Sequence, residues 1–135
     1  MQNFEKGVIQ ALKDVSINTQ KYFGEFADPQ KLDIDLNKTP IVFLDYTGSA
    51  PIGRIKENHE FYLYIAHLSY SNNETNRSNK HYELYDLFSD IKKALNLKSF
   101  DNSEPIKWEK KQKIFDAVTQ KGYLTVFTQV FTAEI

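Results

Sequence analysis

The sequence predicts an α+β fold, a mostly antiparallel sheet of four to five strands with two helices packed on one face. Three observations lead there. Two stretches repeat apolar residues at helical spacing, one at the N-terminus and one past the middle of the chain. Two long stretches, 61–70 and 123–135, are rich in β-branched and aromatic residues and apolar at both sets of alternate positions. Helices separated in this way by runs of strands pack on one face of an antiparallel sheet, which leaves the second face in need of cover.

Residues 3–23 read as the first helix. Phe4, Val8, Ala11, Leu12, Val15, Thr19 and Tyr22 recur at three and four, with Asn3 as N-cap and Gly24 as the C-terminal stop. The polar stretch 25–39 reads as a loop around Asp28-Pro29, with an alternating piece at 32–36. Pro40 introduces the apolar run Ile41 to Tyr46, a central buried strand. Thr47 to Gly53 carries turn chemistry. The aromatic strand follows, then the polar stretch 71–80, expected to be an exposed, mobile loop.

The second helix is expected from His81 to Asn96, capped by Ser78 or Asn79, with Leu84, Phe88, Ile91 and Leu95 as its buried stripe. After a connection, 105–110 and 112–117 read as two short strands or one bent strand. Lys121-Gly122 is the turn into the final strand. No internal repeat and no boundary divides the chain, so its 135 residues read as a single domain, large enough for a core of its own.

Composition narrows the function. Net charge is -1, which argues against non-specific binding to nucleic acid. The chain has no cysteine, which excludes thiol chemistry and thiolate-bound metals. Met1 to Lys6 mixes acid and base with no apolar segment behind it, unlike a signal peptide, and no apolar run approaches membrane-spanning length. A cytoplasmic protein is the expectation.

The sequence presents no candidate set of catalytic groups. His59, His67 and His81 have no zincin spacing and no cluster of carboxylates around them. His67 alternates with Ile65 and reads as a core or interface residue, whereas His59 and His81 read as solvated ends of elements. Gly48 to Gly53 lacks the Gly-Lys-Ser/Thr ending of a phosphate loop. Asp45 reads as a turn-capping carboxylate, and Lys107 to Lys113 as the alternation of a solvated β-hairpin. No catalytic, cofactor or metal residue is assigned. The surplus apolar strand surface points instead to assembly, with Tyr62, Tyr64, Phe127 and Phe131 as interface candidates.

The layout also resembles a known family. The N-terminal helix, the Tyr22-Phe23-Gly24-Glu25 exit, the Pro40 to Tyr46 strand and Phe61-Tyr62-Leu63-Tyr64-Ile65-Ala66 look like the small tail-morphogenesis proteins of Mu-like phages and prophages. The polar loop at 72–79, Tyr82-Glu83-Leu84-Tyr85-Asp86-Leu87 and the closing Phe131-Thr132 continue the likeness over nearly the whole chain. That family is similar in size and element order to the tail terminators of long-tailed phages, α+β proteins that form a hexameric ring on the tail tube. The resemblance implies a structural protein without cofactor that works in the bacterial host cytoplasm and in the virion tail. Its partners would be copies of itself and other tail or head-completion proteins, with no specific nucleic acid and no membrane. Arg77 would stand for the family's arginine near the polar loop, which adds it to the interface candidates. The other readings are an intracellular binding module of immunity or adaptor type, and an enzyme with Asp45, His67 or Tyr64 in a pocket.

Overall fold

The computed structural model describes residues 1–28, 39–69 and 74–135. Its elements are α1 (Gln2–Asp14), β1 (Thr19–Lys21), β2 (Ile41–Ile52), β3 (Lys56–Ser69), α2 (Glu74–Leu95), β4 (Lys107–Thr119) and β5 (Gly122–Glu134). The five strands form one sheet in the order β1-β2-β3-β5-β4. Three of its four pairings are antiparallel and β1 lies parallel to β2, so this is an α+β protein with a mixed sheet.

The first helix ends well before Gly24. Ser16 takes a left-handed backbone (φ 64°). The Ser16 amide donates to the Lys13 carbonyl and the Ile17 amide to the Leu12 carbonyl, at 2.9 and 3.0 Å. This is a Schellman closure built on serine rather than glycine. Beyond it Ile17 is buried, and Thr19 enters β1 beside Val42. Tyr22 is therefore not part of a helical stripe, and Gly24 sits in a turn with φ 82°.

The alternation of β3 and β5 settles which side chains meet the helices. Val42, Leu44, Phe61, Leu63, Ile65, Phe131 and Ala133 pack against Phe4, Val8 and Leu12 of α1 and Leu84, Phe88, Ile91 and Leu95 of α2. Phe61 lies between Phe4 and Phe131, with ring centroids 4.9 and 5.2 Å away. The second face carries Ile41, Phe43, Ala66, Leu68, Leu124 and Val126.

That second face is not left bare. The chain leaving β1 turns back over it, so that Tyr22 stacks on Tyr64 at 4.4 Å and Phe26 meets Phe43 edge-on at 5.4 Å. Phe115 of β4 packs on the same cluster. Part of the expected loop is thus core cover, because two aromatic rings gain more by lying on Phe43 and Tyr64 than in water. The alternating piece at 32–36 lies outside the described residues.

Several boundaries move for related reasons. The turn expected at 47–53 is mostly strand: β2 continues to Ile52 past an irregularity at Tyr46/Gly48, and only Gly53 to Ile55 turn. The helix expected from His81 begins at Glu74. Its first two turns lack an apolar stripe and are held by polar side chains instead: Arg77 lies 4.8 Å from the Tyr123 ring centre, and Lys80 bonds Glu83 at 3.4 Å. Residues 71–73 of the expected loop lie outside the described residues. β4 is one strand, bent by register shifts at Trp108/Lys111 and Lys113/Phe115.

Candidate functional site

The interface candidates do not share one surface. Register places Tyr62 and Tyr64 on the second sheet face and Phe127 and Phe131 on the helix face. Tyr64 is half-buried beneath Tyr22, and Tyr62 is half-exposed beside it at 6.1 Å. Phe131 has no exposed surface, so it is a core ring rather than a contact. Phe127 is half-buried and meets Phe88 edge-on at 4.9 Å. Arg77 is half-buried, with its guanidinium on Tyr123.

The histidines are more embedded than their positions at element ends suggest. β3 begins at Lys56, which puts His59 inside the strand, where its Nδ1 lies 2.9 Å from the Tyr46 hydroxyl. The early start of α2 puts His81 within the helix, facing β5. His81 Nε2 donates to Thr125 at 3.2 Å, and Thr125 donates in turn to Asp116 at 2.9 Å. Lys113 holds the other Asp116 oxygen at 3.0 Å. Burial pushes the Asp116 carboxyl up, but hydrogen bonds from Tyr123, Lys113 and Thr125 outweigh it and hold the group below its ordinary value. Long-range pairing assembles this network, and no local motif in the sequence signals it.

His67 is buried, with Nε2 3.3 Å from the Glu83 carboxylate and no hydrogen-bond partner at Nδ1. Burial and the Lys80 charge push its pKa down, against the pull of Glu83. A neutral ring donating from Nε2 fits both facts. The hollow beside it, about 10 Å³ and lined in part by Ser69, Arg77 and His81, has room for a single water, too little for a substrate. Asp45 lies within β2 opposite Tyr62 rather than at a turn. Burial, then the Glu5 charge, push its carboxyl up.

Exposed apolar side chains are spread over the surface, Phe23, Leu97 and Val15 among them, and two groups stand at corners of the sheet. Ile52 and Ile55, at the tip of the β2–β3 hairpin, are 39% and 93% exposed. Tyr82 and Tyr85 on α2 and Val118 on β4 are each at least half exposed. The hairpin tip lies near one edge of the sheet, at the end where β5 finishes. Val118 lies on the opposite edge strand, at the end where β5 begins, and the His81–Asp116 contact of 3.6 Å brings α2 there too. The two apolar patches therefore occupy diagonally opposite corners.

Among the described residues, no three His, Asp or Glu side chains gather closely enough to hold a metal ion, and no helix is long and apolar enough to cross a membrane. No family model and no curated protein matches the chain.

Proposed function

We propose that this protein is a structural tail protein of a phage or prophage, terminator-like, that assembles as a ring at the end of the tail and serves tail completion or head–tail joining. The observation that carries the assembly mode is the pair of unlike apolar patches, Ile52 and Ile55 at one corner and Tyr82, Tyr85 and Val118 at the diagonal one. A ring needs two different patches on each subunit that meet head to tail and close by rotation. The α+β architecture agrees with the resemblance to the Mu-like tail proteins.

Bare strand pairing is a poorer joint for such a ring. β4 is an edge strand bent by two irregularities and lined with Lys107, Lys110, Lys111 and Lys113, features that discourage edge-to-edge addition. Side-chain contact between the corners is the better account. On this reading the protein is made in the bacterial cytoplasm, enters the virion tail and catalyses no reaction.

Light scattering of the protein mixed with purified tail tubes tests the proposal. The wild-type chain should bind the tube end as a multimer. Ile55→Asp, at a 93% exposed position, should keep its fold and lose assembly. Failure of the wild-type chain to bind tail tubes overturns the reading.

A further inference from the structure

Between α2 and the bent strand β4 the helix face of the sheet stays uncovered, and a cleft of about 520 Å³ opens there between Tyr85, Phe88, Phe127 and the stem of Lys111. It leads to a smaller hollow of about 60 Å³ that reaches Ile65, Ile91 and Trp108. Phe88, Lys92 and Lys111 line both spaces, so the hollow is the inner end of the cleft. The outer part is an open depression and the hollow its more enclosed end, and their apolar walls suit the chain of a small amphipathic molecule.

The two lysines at the mouth set the charge. Among the described residues neither Lys92 nor Lys111 has a carboxylate partner, in contrast to Lys56, Lys80, Lys107 and Lys113. The Lys111 ammonium lies 4.2 Å from the centre of the Phe88 ring, held there by cation–π attraction. Burial, and then the charge of Lys92, push its pKa down. Two cations that repel each other across an apolar cleft leave a place for one anionic group, with an apolar body below it.

We propose that the α2–β4 cleft binds an amphipathic monocarboxylate, its head between Lys92 and Lys111 and its apolar body against Phe88 and Phe127. The inner hollow favours a small molecule over a docked protein surface, since a surface would need only the mouth. The cleft shares Tyr85 with the α2 patch of the proposed ring, but its lysine mouth and inner hollow belong to neither patch, so binding is tested on the unassembled chain.

Trp108 is the only tryptophan and lines the inner hollow, so its emission reports occupancy. Titration of the full chain with decanoate should change that emission saturably. Decanol, which lacks the charge, should bind at least about tenfold more weakly, the difference expected for one charge-assisted contact. The double variant Lys92→Gln/Lys111→Gln, with both changes at exposed positions, should keep its circular dichroism and bind decanoate no better than decanol. Equal affinity for decanoate and decanol, full affinity in the double variant, or an unchanged Trp108 spectrum would overturn the proposal. In the last case an acidic peptide that touches only the mouth becomes the better occupant.

Discussion

His67 on β3 and Glu83 on α2 meet at 3.3 Å, and the same Glu83 oxygen takes the Lys80 ammonium at 3.4 Å. One carboxylate thus ties the polar first turns of α2 to the sheet. A charged His67 would have to share that oxygen with Lys80 from a buried position, which explains why burial and Lys80 outweigh Glu83 and favour the neutral ring.

The His67 ring should respond to pH. Its folded pKa lies below the ordinary 6.5, so its contribution to stability is complete above that value and is lost as pH falls through the folded pKa. In an NMR titration the His67 ring should protonate below 6.5, and Lys80→Gln should move its midpoint upward. A midpoint at or above 6.5 in the wild-type protein contradicts the arrangement.

Asp116 behaves in the opposite chemical sense and with the same direction of pH. Its carboxyl is held low in the folded state, so its stabilisation is present above the ordinary carboxylate pKa and fades as pH falls through the lowered one. Asp116→Asn should cost about 1 kcal/mol in urea unfolding at neutral pH, where it loses charge-assisted bonds. The cost should shrink in acid. A loss that persists unchanged in acid would mean that the carboxylate charge plays no part.

Asp45 should respond with the reverse sign. Its raised folded pKa means that stability is full below the ordinary carboxylate value and is lost as pH rises through the folded one. Asp45→Asn should therefore stabilise the fold at neutral pH by less than about 1 kcal/mol for a half-exposed group, seen as a slightly higher melting temperature, and have little effect in acid. Destabilisation at neutral pH would refute it.

The two phenylalanines of β5 should separate cleanly. Phe131 has no exposed surface and stacks on Phe61, so Phe131→Ser should cost at least about 3–5 kcal/mol and leave the chain largely unfolded. Phe127 borders the cleft, and Phe127→Ser should cost less and leave a folded protein. Circular dichroism melts compare them, and equal losses would place Phe127 in the closed core.

Cover of the second sheet face rests on Tyr22. Its ring lies 4.4 Å from Tyr64 and its hydroxyl accepts the Phe26 amide at 3.3 Å. Tyr22→Ala should cost about 2 kcal/mol and increase binding of a hydrophobic dye as Phe43 and Tyr64 lose their cover. Unchanged stability and dye binding would show that Tyr22 contributes no cover.

The kinds of elements and most of their cores follow from local sequence pattern. The Phe4, Val8, Leu12 and the Leu84, Phe88, Ile91, Leu95 stripes are local repeats, and 3.6-residue spacing makes them legible. The long strands and the Lys121-Gly122 turn were legible for the same local reason. The Schellman stop at Ser16 was not, since serine carries no glycine signature, and neither was the polar start of α2, whose anchors lie on distant strands. Which set of side chains faces the helices depends on long-range packing. Both alternate sets of β3 and β5 are apolar, so a pattern of period two cannot choose between them. Packing of α1 and α2 on Phe61, Ile65 and Phe131, and of Tyr22 and Phe26 on Phe43 and Tyr64, makes that choice. The same long-range packing formed the His81–Thr125–Asp116 network and opened the Lys92–Lys111 cleft, because their members come from elements far apart in the chain.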